Sequence, residues 1–372
     1  MFVYSSTNYT LNVLQTILIR GRVVQLAKLK VGVIGLGGIS DMHISGILAN
    51  EEAVLWSICD CKEEVLASRG EQYKIPESRR YLDYTEMLAD PELEAVSIGT
   101  PNYNHYEIAC EAIKQQKPFA LEKPVTLDER EAAALRDLLS ETDLPHMICF
   151  SYRYKPAVRY AKWLIDQGKL GAIKHVYGQY LQGWGLSEQV PLVWRFRREL
   201  SGSGALGDLG SHLLDLQRFL VGNVERVMAD AGTIIKDRPL LESDGKGEVD
   251  VDDFCHVLAR LDGGISSTMA ISRFAFGRGN FQQLEIFGDR GAVLYNLEEE
   301  DVLHVKLAED GDEVFRKVEI PAEFQVDQMT AFINLVNGHG DGYDATMEDG
   351  YVNQHAIDSI LVSLKEQRWI FI

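Results

Sequence analysis

The sequence predicts an α/β chain: an N-terminal Rossmann dinucleotide-binding domain, then a C-terminal α+β domain built on a large, mostly antiparallel open sheet. Three observations lead there. The run Gly35-Leu36-Gly37-Gly38-Ile39-Ser40 sits between an apolar, strand-like segment (30–34) and a helix-compatible stretch (41–49). Short apolar runs then alternate with helical patterns as far as residue 147, the pattern of a parallel sheet covered on both faces. Beyond residue 150 strand-like runs follow one another with few helices between them.

A strand that turns on glycines into a helix offers backbone N–H groups and the positive end of a helix dipole to an anion, here a dinucleotide pyrophosphate. Gly35, Gly37, Gly38 and Ile39 are the expected cradle, and Ser40 closes the pattern with a residue small enough for helix–strand packing. Leu55–Cys59 reads as the next strand, with Asp60 at its end. A carboxylate there accepts hydrogen bonds from both adenosine ribose hydroxyls and repels a 2′-phosphate, which favours NAD over NADP. Lys62 close by leaves NADP open, and a residue that merely starts a turn is the plainer alternative for Asp60.

Segments 95–100 and 118–121 are buried-type strands, with a helix over 107–116 between them. Ligands collect at the carboxyl ends of parallel strands. Two polar clusters lie there: Thr100-Pro101-Asn102-Tyr103-Asn104-His105 and Glu122-Lys123-Pro124. A helix over 156–167 leads to an alternating strand at 173–181. A Gly/Ser-rich turn at 201–204 feeds a helix over 205–220. Strands are expected near 225–235, 254–261, 266–272, 282–287, 292–295 and 302–307. Helices over 326–336 and 348–367 close the chain, the second opened by a capping box of Thr346 and Asp349.

The expected division is 1–28, an extension the fold does not need; 29–147, the cofactor domain; and 148–372, a substrate-binding and oligomerisation domain. The apolar part of the extension (13–19) is too short to span a membrane. No basic residue precedes Arg20, the wrong charge order for a secretory signal. The 372 residues, 46% of them hydrophobic, suffice for two cores. A formal net charge of −19 argues against nucleic acid and anionic membranes as partners, and suits a cytoplasmic protein. The five cysteines lie mostly in apolar patterns, as small buried hydrophobes do. No Cys-x-x-Cys or His-Glu-x-x-His pattern supports a metal.

Three constellations can carry chemistry. In Glu122-Lys123-Pro124, proline stops the strand and constrains Lys123, whose ammonium can hydrogen-bond a substrate hydroxyl; an exposed lysine before a turn reads equally well. Asp208, His212 and Asp215 stand at i, i+4 and i+7, one stripe of a helix. Histidine can take a proton near neutral pH, with a carboxylate to orient its ring. Oxidation of a secondary alcohol needs such a base for the proton and NAD for the hydride. A solvated helix face with a helix-starting aspartate is the alternative, and Asp208 with His212 alone are too few ligands for a metal. Trp194-Arg195 lies in a basic, aromatic loop of an acidic protein. It can wall a nicotinamide or a sugar hydroxyl, or simply pack on the surface.

Taken together these residues resemble the Gfo/Idh/MocA family of NAD(P)-dependent sugar and cyclitol oxidoreductases. The likeness rests on the Gly35–Ser40 turn with His43, Thr100-Pro101-Asn102 with His105, Glu122-Lys123-Pro124 and Tyr152-Arg153-Tyr154-Lys155-Pro156. It continues through the run from Gly204 to His212 and Ile286–Gly291. The resemblance implies Lys123, Asp208 and His212 as catalytic residues. It further implies contacts to cofactor or substrate from Thr100, Asn102, His105, Glu122, Lys123, Arg153, Trp194 and Arg195. It implies a sugar, anhydrosugar or inositol substrate, with a softer likeness to members acting on levoglucosan, and dimers or tetramers through the open sheet. Two further readings stand beside it: a glycoside-cleaving enzyme that retains NAD, and a non-catalytic cofactor sensor.

Overall fold

The computed structural model describes residues 27–372 apart from positions 242, 300, 301, 312 and 313, together with two short strands, Thr16–Ile19 and Arg22–Gln25, that pair antiparallel. The rest of the expected extension, 1–28, lies outside the described residues.

The first unit is a six-stranded parallel sheet. Its strands are β1 (Leu29–Ile34), β2 (Ala53–Cys59), β3 (Arg80–Tyr81), β4 (Ala95–Ile98), β5 (Phe119–Glu122) and β6 (His146–Cys149). Their order is β3-β2-β1-β4-β5-β6, so the sheet reverses direction of growth between β1 and β4. That switch point is where an open parallel sheet leaves a crevice. β4 and β5 are buried throughout, as uninterrupted apolar strands between two helical layers must be. The covering helices include α1 (Ser40–Ala49), α2 (Glu63–Gln72), α3 (His105–Lys114) and α4 (Glu129–Ser140). Helix α3 starts two residues before the expected position, because a 3-10 turn at Asn102–Asn104 runs straight into it.

The second unit carries a nine-stranded sheet among the described residues. Its strands are β7 (Ile173–Leu181), β8 (Val224–Gly232), β9 (Phe254–Leu261), β10 (Ile265–Ser272), β11 (Phe281–Gly288), β12 (Gly291–Asn296), β13 (Val302–Leu307), β14 (Arg316–Lys317) and β15 (Ile370–Phe371), in the order β14-β13-β12-β11-β7-β10-β9-β8-β15. Pairing is antiparallel except between β7 and β10. Alternating burial along β7 and β9 marks one face as core and one as open. Helices α5 (Pro156–Asp166) and α6 (Ser211–Leu220) cover the first face, with Leu213, Leu216 and Val158 packed on Val176, Val257 and Ile271. Tyr177, Met228 and Leu258 stand exposed on the other.

Packing does not follow a single cut at residue 147. β6 runs on to Cys149, and the chain later returns to the first unit. Helix α7 (Gln328–Val336) adds Met329, Phe332 and Ile333 to the core that holds Val31, Ile44 and Ile47. Ala345 accepts a hydrogen bond from the Ile148 amide at 2.8 Å, just before α8 (Met347–Glu366) begins. The expected capping box at the start of α8 is present: Asp349 Oδ2 accepts from the Thr346 amide at 2.7 Å.

A buried ion network ties these pieces together. Arg153, in the 3-10 turn Ser151–Tyr154 after β6, donates to Asp215 of α6 (Nη2 to Oδ1, 2.6 Å) and lies 3.0 Å from Asp349 of α8. Arg218 pairs with Asp349 as well. Asp215 is 2% exposed, and its burial, which raises its proton affinity, is partly offset by Arg153. Removing one partner strands a buried charge, at a cost of about 3–5 kcal/mol. Arg153→Gln is therefore expected to lower the unfolding free energy by about that amount in urea titration; a loss under ~1 kcal/mol would show the network to be energetically idle.

Candidate active site

A cavity of about 870 Å³ runs along the carboxyl ends of β2, β1, β4 and β5. Its wall begins with the glycine turn. Gly35 has φ +87°, and a side chain there would lie 2.8 Å from the Gly99 and Thr100 backbone, so only glycine lets β1 and β4 approach so closely. A Cβ on Gly37 or Gly38 would meet no protein atom within 4 Å; their backbone faces open cavity. Ile39 leads into α1 with no side-chain cap, which leaves the helix N-terminus to the cavity. Ser40 donates to the Gly37 carbonyl at 2.6 Å and is buried, as a small closing residue must be.

Asp60 lines the cavity at the end of β2, held by two amides: Leu36 N–H at 2.9 Å on Oδ2 and Lys62 N–H at 2.9 Å on Oδ1. Its carboxylate thus has a set orientation before any ribose arrives. Thr100 lines the cavity with its hydroxyl buried and unpartnered. Asn102 also faces it and donates to the Ser201 carbonyl at 2.9 Å, tying β4 to the second unit. A dinucleotide fits this surface: amides for phosphates, Asp60 for a ribose, Thr100 for a polar group of the ligand.

Lys123 follows β5, ahead of a cis peptide bond to Pro124. Its Nζ donates to Asp208 twice, to the carbonyl at 2.8 Å and to Oδ1 at 3.2 Å. Asp208 sits within a π-helical turn, Leu206–Gly210, that precedes α6. Arg273, just past β10, binds the other carboxylate oxygen at 3.1 Å. Asp252 anchors the turn from outside by accepting the Gly204 and Leu206 amides, each at 2.7 Å. Burial pushes the Asp208 carboxyl up, but the charges of Lys123, Arg273 and Arg195 outweigh it and hold the group well below the usual carboxylate range.

His212 is 6% exposed at the start of α6, edge-on to the Tyr152 ring with centroids 4.6 Å apart. Its Nδ1 is buried without a protein partner. Burial, and then the Lys123 charge, push its pKa well below the ordinary histidine value, so the ring is neutral at neutral pH. It lines a recess of about 380 Å³ with Tyr180, Gln182, Trp184, Lys123, Asp208 and Arg195. Lys123, Asp208 and Arg195 line both this recess and the larger cavity, so the two spaces meet at them. Trp194 and Arg195 close the cavity from the second unit, the Arg195 guanidinium 4.4 Å from the Trp194 ring centroid.

Three expectations need correction. Arg153 contacts neither cavity; its guanidinium is committed to Asp215 and Asp349. His105 is buried behind the cavity wall, its ring nitrogens 2.9 Å from the Pro124 and Thr100 carbonyls, so it props the two loops instead of touching a ligand. The stripe Asp208–His212–Asp215 does not hold, because the π turn adds a residue: Asp208 and His212 share the recess, whereas Asp215 faces Arg153. Asp208 starts no helix, and Tyr152 edge-on and Tyr180 tilted beside it, not a carboxylate, pack the histidine ring. Arg273 and Asp252 escaped the sequence reading, and His43 entered it only as part of the family likeness, without its partners Ser97 and Glu122; a charged residue directly after an alternating strand was the available sign for Arg273.

A profile of an oxidoreductase family with an NAD-binding Rossmann fold matches residues 29–150, and a profile of the GFO/IDH/MocA C-terminal domain matches residues 158–294. The chain belongs to the Gfo/Idh/MocA oxidoreductase family. It is 34% identical to levoglucosan dehydrogenase of Pseudarthrobacter phenanthrenivorans over 307 residues, 77% of this chain and 78% of that one. Myo-inositol 2-dehydrogenase of Thermotoga maritima is 27% identical over 266 residues, 71% of this chain and 74% of its own. Among solved structures, levoglucosan dehydrogenase in complex with NADH and L-sorbose superposes with a TM-score of 0.86 at 31% identity, over 93% of this chain and 99% of that chain. The protein is thus an oxidoreductase with an NAD-binding Rossmann fold. Among the described residues, no helix is long and apolar enough to cross a membrane.

Gly35→Ala places a Cβ against backbone at a positive φ, a strain of about 1–3 kcal/mol. NAD+ affinity is expected to fall roughly tenfold or more; an unchanged dissociation constant in fluorescence titration would remove the turn from the cofactor site.

Proposed function

We propose that the protein is an NAD-dependent dehydrogenase that reversibly oxidises one secondary hydroxyl of an anhydrosugar, pyranoside or cyclitol bound in the His212 recess. The observation that carries this reading is the shared lining: Lys123 and Asp208 belong both to the dinucleotide cavity and to the recess that holds the base. Names borne by its relatives, levoglucosan and inositol dehydrogenases, support the substrate class.

A bound nicotinamide supplies the hydride acceptor. The rest is done by side chains. Lys123 hydrogen-bonds the reacting hydroxyl oxygen and stabilises the negative charge that grows on it as the proton leaves. Asp208, low in proton affinity, keeps Lys123 aimed, and Arg273 keeps Asp208 in place. His212, neutral and enclosed by tyrosines, takes the proton. Trp194, Arg195, Gln182 and Trp184 shape the space for the ring and its other hydroxyls. The cofactor part is 29–147 and the substrate part 148–372, with α7 returning to the former. The open sheet face with Tyr177, Met228 and Leu258 supports a homodimer or homotetramer, and the acidic composition supports a cytoplasmic location.

Incubation with NAD+ and a panel of levoglucosan, pyranosides and inositols is expected to give NADH absorbance at 340 nm with at least one member. His212→Ala is expected to lose about 10²–10⁴ in kcat while NAD+ affinity stays within about twofold; full turnover in this variant would remove His212 as base. The pH profile has a defined sign. Because the base works unprotonated and its pKa lies well below 6.5, kcat/KM for oxidation is expected to stay flat through neutrality and fall only on the acid side of that value. An acid limb centred at or above 6.5 would contradict the assignment.

A further inference from the structure

We propose that Glu122 presents a fixed carboxylate to the nicotinamide end of the cavity, held there by a buried Ser97–His43 chain, and that this charge favours the oxidised cofactor over the reduced one. The proposal rests on the dinucleotide reading of the cavity given above.

Glu122 ends β5, is buried and lines the cavity beside Lys123. Strand order separates it from Asp60: β2 lies on one side of the switch between β1 and β4, β5 on the other. With Asp60 at the adenosine ribose, Glu122 stands at the opposite end. Both its oxygens meet donors. Oε2 accepts the Lys123 amide at 3.2 Å, and Oε1 lies 3.0 Å from His43 Nε2. His43 is fully buried on α1, and its Nδ1 lies 2.6 Å from the Ser97 hydroxyl of β4. A neutral imidazole satisfies every atom of this chain: Ser97 donates to Nδ1, and Nε2–H donates to Glu122. The ligand atoms of His43, Glu122 and Cys149 lie within 4.8 Å of one another, close enough for a metal. Both His43 nitrogens are occupied, however, and burial pushes the Cys149 thiol far above its usual range, away from the thiolate a metal binds.

Charge makes the consequence. This end of the cavity holds three cations, Lys123, Arg195 and Arg273, against two carboxylates, and Asp208 already serves Lys123 and Arg273. The oxidised nicotinamide ring is positively charged; the reduced ring is neutral. A carboxylate held within a low-dielectric wall stabilises only the former. His43 is a positioning residue: it acts through Glu122.

The test compares dissociation constants of NAD+ and NADH for the full chain and its Glu122→Gln and His43→Ala variants, by fluorescence titration and calorimetry. Glu122→Gln is expected to weaken NAD+ roughly three- to tenfold while NADH changes less than about twofold, and His43→Ala to move the ratio the same way. Equal weakening of both cofactors, the mark of a merely structural role, overturns the proposal, and so does an unchanged ratio. Should Glu122→Gln fail to fold, the ratio for His43→Ala decides. Parent protein that binds neither cofactor would instead overturn the dinucleotide reading itself.

Discussion

The ion pair between Lys123 and Asp208 is the contact on which the site depends. It joins the last turn of a parallel strand in one unit to a π-helical turn in the other, at the place where two cavities meet. A buried ion pair is stable only when its remaining hydrogen-bonding capacity is met. Here the second carboxylate oxygen goes to Arg273, and the lysine takes a carbonyl as well as a carboxylate. The π turn itself hangs from Asp252, so the register from Gly204 to His212 is set by carboxylate–amide bonds and not by helix propensity. Two glycines inside the turn, Gly207 and Gly210, weaken any such propensity further.

The segment that carries His212 is therefore gripped from two directions. Lys123 and Arg273 hold its beginning through Asp208; Arg153 holds its middle through Asp215. Between them His212 needs no carboxylate of its own. Burial beside the neighbouring tyrosines, and then the adjacent ammonium, keep the ring unprotonated, which is the state a proton acceptor requires. Tyr152 is itself fixed by the Tyr180 hydroxyl at 2.6 Å and by Asn280, so the packing around the imidazole is backed by hydrogen bonds.

Much of this was legible in the chain, and the reasons are local. Glycines at 35, 37 and 38, followed by a small residue and an acid at 60, report backbone chemistry that only certain residues perform, so the strand–turn–helix and the acid at the end of β2 could be read from the chain. Strands β7, β9 and β13 fell where alternation placed them. Lys123, Asp208 and His212 were each ambiguous alone, and the structure brings all three around one recess. What escaped was non-local. Arg273 and Asp208 are 65 positions apart, His43 and Glu122 79 apart, and no spacing rule connects such partners. Arg153 shows the same limit from the other side: an arginine after a strand has one appearance whether it meets a ligand or an aspartate buried on a distant helix. The misplaced stripe at Asp215 came from assuming 3.6 residues per turn where a single wide turn intervenes.

The final stretch of chain has a mechanical meaning. Helix α7 lies so close to α1 that a methyl group on Gly46 would sit 2.7 Å from Met329, and Phe332 fills the layer beneath the phosphate-facing helix. The polypeptide thus crosses from one half to the other and back, like a strap riveted at both ends. The side-chain layer made by this return also supports the glycine cradle from beneath. A shortened polypeptide ending before residue 328 would lose the floor of its own nucleotide half.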